Sequence, residues 1–199
     1  MGIPGVTITP GDHICAFYRG SRQRDTVLVP FLREGLLAGD KCICVMDDPN
    51  TEPVVGPLSV ELDIEGSLRT GQFQLLDSDH AYLPGGCFTT ERMLEFWEQG
   101  FHPALDEQAC CFIRACGEMT WALRDVPGVE LLVSYEAQLN RFLVKHPRAV
   151  LLCFYDLERF VDAQLLMGLL RTHPTVLLSG QILDNPWYAE PDEFLAEMV

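Results

Sequence analysis

Six short apolar runs, spaced along the chain, leave little choice of architecture. HICAFY (13–18), KCICVMD (41–47), FQLLD (73–77), CCFIRAC (110–116), AVLLCFY (149–155) and TVLLSGQI (175–182) have strand length, and several are apolar without interruption. Alternating apolar and polar residues mark a strand with one wet face, whereas an unbroken run marks a strand covered on both faces. Longer segments with helical spacing of apolar residues separate the runs. Strand and helix in repeated alternation is the pattern of a three-layer α/β domain, a mostly parallel sheet flanked by helices. A length of 199 residues suits one such domain, 1–199, and no repeat, low-complexity tract or linker divides it.

Four helices are expected between the strands. Asp25 can cap the first, which turns Val27, Leu28, Phe31, Leu32 and Leu36 inward and leaves Pro30 near the first turn, where proline is tolerated. The others run from Thr89 to about Leu105, from about Val129 to Val144, and from about Glu158 to Arg171. The tail 185–198, rich in proline and aromatics, is expected to cross the domain and end in a short helix.

Charge excludes some partners. With 29 acidic against 14 basic residues the net charge is −15, which repels nucleic-acid backbones and anionic lipid, so no direct nucleic-acid partner is expected. Nothing resembles a secretory leader and no apolar stretch approaches the ~20 residues of a membrane span, so a cytoplasmic location without membrane contact is expected. None of the eight cysteines forms C-x-x-C, and those at 42, 44, 110, 111 and 153 lie inside apolar runs, where they read as buried small hydrophobes of a reducing compartment.

Ligands of open parallel sheets bind outside the carboxyl ends of the strands. That edge here carries Tyr18 and the loop with Arg19, Arg22 and Arg24, then Asp47 and Asp48, Asp77 and Asp79, Cys116 and Glu118, Tyr155 and Asp156, and Gln181. Each aspartate can also serve as an ordinary helix or turn cap. The first strand–loop–helix unit is where a phosphate loop would stand, but YRGSRQRD (18–25) has one glycine and no lysine. The layout is therefore RecA-like without Walker A, and ATP hydrolysis is not expected. Arg22 and its neighbours can hold an anionic ligand by bidentate pairing, or pair with the protein's own acidic surface.

Three further features carry chemistry. Strand alternation puts His13 and Cys15 on one face, where they can share a metal if Cys116 or Asp156 supplies a third ligand; the alternative is a core histidine beside an inert thiol. Glu118 and Trp121 follow a strand in RACGEMTWALRD (114–125) and suit a pocket for a small, partly apolar ligand. Glu136 falls on the inward stripe of its helix and must be paired, protonated or functional, with Arg114 and Arg159 as candidate partners. No G-x-S-x-G, H-E-x-x-H or dinucleotide glycine fingerprint is present, so no enzyme is expected and no cofactor is required.

In order and spacing, HICAFY, VPFLREGLLAGDKCICVMDDP (29–49), FQLLDSDHAYLPGGCF (73–88), GEMTWALR (117–124), YEAQLN (135–140), CFYDLERF (153–160), LRTHPTVL (170–177) and NPWYAEPDEFL (185–195) resemble the MEDS family of sensory domains over almost the whole chain. The resemblance implies a sensor of simple hydrocarbon derivatives beside a histidine-kinase, anti-sigma or DNA-binding output module. It also implies that His13 and Cys15, which match the family's histidine and cysteine near the first strand, recognise the ligand. The layout further resembles RecA-like ATPases of the circadian-clock type, with VMDDP where those carry an acidic strand end. With no output domain in 199 residues, the expectation is either an isolated sensory module or a subunit acting through a partner. Two other readings stay open: a nucleotide-binding or interaction scaffold that does not hydrolyse, and an enzyme using a metal on His13 and Cys15.

Overall fold

A computed structural model describes residues 7–48, 50–106 and 112–198. In chain order the elements are β1 (His13–Tyr18), α1 (Gly20–Ala38), β2 (Lys41–Met46), α2 (Glu52–Ser59), α3 (Ile64–Thr70), β3 (Phe73–Asp77), α4 (Ser78–Ala81), α5 (Thr90–Asp106), β4 (Ile113–Glu118), α6 (Leu132–Lys145), β5 (Ala149–Asp156), α7 (Ala163–Thr172), β6 (Thr175–Leu178), β7 (Gln181–Asp184) and α8 (Pro191–Glu197). The strands form one sheet in the order β3-β2-β4-β5-β1-β6-β7, parallel except for β7. Every residue of β4 and β5 is buried, as unbroken apolar runs demand. α1, α2 and α3 cover one face through Phe31, Leu32, Val54 and Ile64, and α5, α6 and α7 cover the other through Trp97, Phe101, Leu139 and Leu169.

Four local expectations are corrected. α1 begins at Gly20 rather than at Asp25, because its first turn is held from elsewhere: the Gly20 N–H donates to Asp156 Oδ1 at 3.3 Å and the Arg19 N–H to the Gln23 side chain at 2.6 Å. Pro30 therefore lies inside the helix, and the carbonyl it cannot serve belongs to Thr26, an exposed residue that water can reach. The fourth expected helix starts later, as α7, because Asp162 caps it by accepting from the Leu165 N–H at 2.7 Å. The third opens with a 3₁₀ turn, Val129–Leu131, before α6. TVLLSGQI is a hairpin, not one strand: Ser179 (φ 51°) and Gly180 (φ 75°) make the two-residue turn between β6 and β7 that positive φ values favour. Gln181 is accordingly the first residue of the returning strand. Cys110 and Cys111, expected in the fourth strand, lie outside the described residues.

Gly128 is required by its surroundings. Its φ is +94°, and an added Cβ would lie 2.0 Å from the Phe88 carbonyl oxygen. Phe88, tied to Pro127 by a 2.9 Å backbone hydrogen bond, packs against Trp121 and Tyr135. Gly128→Ala is expected to cost roughly 2–3 kcal/mol through left-handed strain and overpacking, read as a lower urea midpoint at unchanged m-value.

Candidate functional site

The residues expected at the site divide into two groups on opposite sides of the sheet. At the carboxyl edge, Tyr18, Asp47, Asp48, Glu118 and Asp156 line a cleft of about 320 Å³ together with Arg24 and Arg159. Strand order brings them together, since β1 separates β5 from β6 while its helix α1 leads across to β2, so the loops part at this point and open a crevice.

Glu118 is the hub of the cleft. Its Oε1 accepts from the Tyr18 hydroxyl at 2.9 Å and from Arg24 Nη1 at 2.8 Å, and its Oε2 accepts from the N–H groups of Asp47 (2.9 Å) and Asp48 (3.1 Å). Burial and the neighbouring Glu118 raise the Tyr18 phenol well above its usual value, so it stays a neutral donor. Arg24 reaches inward from α1, is 1% exposed, and also bonds Asp25 through Nε, but its Nη2 is buried without a partner among the described residues. An unmatched guanidinium N–H beside a cleft is a binding opportunity for an acceptor atom, because leaving it unmatched is costly. Asp47 is fully engaged, accepting from Ser78, Thr120 and Arg124. The amides at this edge thus serve a carboxylate of the chain itself rather than a phosphate.

On the other face, His13 and Glu136 belong to a fully enclosed cluster with Cys153 and His173, and Cys15 and Tyr155 are buried beside it. The partners expected for Glu136 are replaced. Arg114 pairs with Asp40 at 2.8 Å, and Arg159 lines the cleft; Glu136 instead accepts from the Tyr155 hydroxyl at 2.5 Å and faces His13 and His173 at 3.1 and 3.3 Å. Burial pushes the Glu136 carboxyl upward, but the two imidazoles, His173 foremost, outweigh it and hold the group well below the usual carboxylate range. The third ligands expected for a metal on His13 and Cys15 are not there: Cys116 packs on the opposite face of the sheet and Asp156 stands at the strand end.

Two expected residues join neither group. Trp121 is wholly buried in aromatic packing, stacked 4.6 Å from Tyr82. Arg22 is exposed on α1, one helical step away from the inward-facing Arg24. Arg24, Cys153 and His173 are the residues whose importance emerges only in three dimensions. Arg24 is one of three arginines that the loop offers alike, and Cys153 reads as one more apolar residue of its strand. No helix among the described residues is long and apolar enough to cross a membrane.

Comparison with known proteins supplies a family. The model of the methanogen/methylotroph, DcmR sensory domain (MEDS) matches residues 12–174. The transcriptional repressor DcmR of Methylorubrum extorquens is 31% identical over 172 residues, which are 84% of this chain and 60% of that protein. Among solved structures, a KaiC-like protein of Pyrococcus horikoshii superimposes with a TM-score of 0.56 at 12% identity, over 84% of this chain and 70% of its own. An uncharacterised protein of the same organism, in complex with an unknown peptide, reaches 0.62 at 16% identity over 88% and 82%. At these identities the structural likeness shows the fold alone, a RecA-type α/β sheet.

Proposed function

The chain belongs to the MEDS family of sensory domains, and from that premise we propose that it binds a small organic molecule in the carboxyl-edge cleft and passes its occupancy to the output module of a transcriptional regulator in the cytoplasm. The observation that carries the ligand reading is the cleft lined by Arg24, whose Nη2 has no acceptor among the described residues. It favours a derivative bearing an oxygen, such as a short alcohol, aldehyde or carboxylate, over a bare hydrocarbon. A cleft of about 320 Å³ lies at the small end of ligand pockets and suits few heavy atoms. A DNA-binding module is the output favoured by the likeness to a repressor; a histidine kinase or an anti-sigma module would read the same cleft.

A nucleotide fits less well. Its phosphates would meet Glu118, Asp48 and Asp156, and the Asp47 and Asp48 amides are already bonded to Glu118.

The test is a thermal-shift series with one- to four-carbon alcohols, aldehydes, carboxylates and halides, run beside ATP. An oxygen-bearing ligand at a hundred times its Kd is expected to stabilise the wild type by about 2.7 kcal/mol. Arg24→Lys, which keeps the charge opposite Glu118 and loses the second N–H donor, is expected to lose most of that gain. If no compound in the series shifts the wild type, or the variant responds as the wild type does, the assignment of the cleft fails.

A further inference from the structure

The enclosed cluster on the far side of the sheet has a different chemistry from the cleft. One ligand atom from each of His13, His173, Glu136 and Cys153 lies within 4.8 Å of the other three, and all four residues are buried; His13 Nε2, His173 Nε2 and Cys153 Sγ each approach Glu136 Oε2. They come from four places in the chain: the start of β1, the middle of α6, the middle of β5, and the residue after α7.

The hydrogen bonds behind the imidazoles determine which ring nitrogens face inward. His173 Nδ1 stands 2.7 Å from the Leu169 carbonyl oxygen, which can only accept, so Nδ1 carries the hydrogen. His13 Nδ1 is 3.1 Å from Asn140 Oδ1, and the amide nitrogen of Asn140 is committed to the Thr172 carbonyl at 2.7 Å, so here too Nδ1 is the donor. In the neutral rings both Nε2 atoms therefore present lone pairs to the centre of the cluster. Glu136 is arranged likewise: the Tyr155 hydroxyl occupies Oε1 and leaves Oε2 turned inward. Backing of this kind, N–H to carbonyl on each imidazole and a hydroxyl on the outer carboxylate oxygen, is how protein ligands of a metal are oriented.

Without a cation the arrangement is poorly matched. Two nitrogen lone pairs and a carboxylate oxygen converge with only the Cys153 thiol hydrogen among them. His173 Nε2 is fully buried and, although 3.3 Å from Glu136 Oε2, makes no hydrogen bond in adequate geometry among the described residues.

We propose that these four atoms bind one divalent transition-metal ion, zinc above others, in a buried tetrahedral centre. Zinc bonds of about 2.0–2.2 Å to nitrogen and oxygen and 2.3 Å to sulfur imply tetrahedron edges of roughly 3.3–3.6 Å. Four of the six edges here are 3.1 Å (His13 to Glu136), 3.3 Å (His173 to Glu136), 3.5 Å (His13 to Cys153) and 3.5 Å (Cys153 to Glu136), and the two from His173 to His13 and to Cys153 are within 4.8 Å. Two imidazoles, a carboxylate and a thiolate are a borderline donor set that suits zinc and disfavours magnesium or calcium. A thiol ligates as its thiolate, so binding exchanges the Cys153 proton for the metal: Cys153–SH and the dication give Cys153–S–metal and one released H⁺. The dication with one thiolate and one carboxylate is neutral overall, as a buried centre should be. Four protein ligands leave no open position, so the metal holds β1, β5, α6 and the end of α7 together rather than catalysing a reaction. None of the four lines the cleft, so this centre stands or falls separately from the ligand reading.

The test uses the full chain, purified without chelator and analysed for metals by mass spectrometry, then stripped and titrated with zinc and with cobalt. One zinc per chain is expected, together with release of one proton on titration. Cobalt is expected to give strong tetrahedral visible bands and a thiolate charge-transfer band. Cys153→Ser should abolish the charge-transfer band, His173→Ala should abolish stoichiometric binding, and Tyr155→Phe should weaken affinity about 10–100-fold. Cys15→Ser is the control, since Cys15 is the strand neighbour of Cys153 but stands outside the group; its cobalt spectrum should match the wild type's. Circular dichroism of each variant separates loss of ligand from loss of fold. A stripped, folded wild type that takes up no equivalent of zinc or cobalt, or variants at 153 and 173 that bind as the wild type does, would overturn the proposal.

Discussion

Glu118→Ala is expected to destabilise the domain by about 3–5 kcal/mol, the scale seen when one member of a buried charged pair is removed. The mechanism is specific. Alanine leaves the Arg24 guanidinium, already short of one partner, without its main acceptor inside the fold, and it also orphans the Tyr18 hydroxyl and the N–H groups of Asp47 and Asp48. These donors belong to β1, α1 and the loop after β2, so the carboxyl edge should loosen as a unit. Amide exchange should show it: Asp47 and Asp48 lose protection before the centres of β4 and β5 do. Glu118→Gln is the milder comparison, because it keeps acceptor capacity on one atom and should cost about 1–3 kcal/mol. A loss under about 1 kcal/mol in the alanine variant would mean that water enters the cleft and takes over these bonds.

Glu136→Ala is expected to have a comparable effect on the opposite face, about 3–5 kcal/mol when measured on chelator-treated protein. Glu136 is 0% exposed, so no water can replace its oxygens. Its removal strands the Tyr155 hydroxyl and leaves a cavity between α6 and the central strands, where His13 and His173 stand with ring centroids 4.1 Å apart. Chelator treatment confines the measurement to the carboxylate's own partners. Calorimetry should report a lower Tm with the transition still two-state. An unchanged Tm would mean that the imidazoles bond each other once the carboxylate is gone.

Much of this architecture is legible in the one-dimensional chain. The strands His13–Tyr18 and Ala149–Asp156 fall where apolar runs place them, because burial on both faces leaves a local mark, and the edge strand Phe73–Asp77 falls where it is expected although only Phe73 in it is buried. The acidic residues after the strands and the missing phosphate loop are likewise plain. Helix starts are less legible where the cap is distant: α1 begins at Gly20 because Asp156, far along the chain, meets its first turn. The hairpin at Ser179–Gly180 had a local signal, a serine–glycine pair between two apolar stretches, outweighed by the continuity of the run around it.

Glu136 divides what sequence and structure each determine. Helical periodicity alone puts a carboxylate on an apolar stripe and so requires that it be partnered. That the partners are His13, His173, Tyr155 and Cys153 rather than an arginine was decided by tertiary structure. Side-chain direction follows from periods of two and 3.6 residues, which neighbouring residues set. Distance across a sheet depends on strand order, and the order β5-β1-β6 carries His13 between the strand of Cys153 and His173, two residues before β6. The same division holds at the cleft, where the sequence determined an acidic edge beside an arginine-rich loop. The inward turn of α1 then made Arg24, and not Arg22, the cation that faces Glu118.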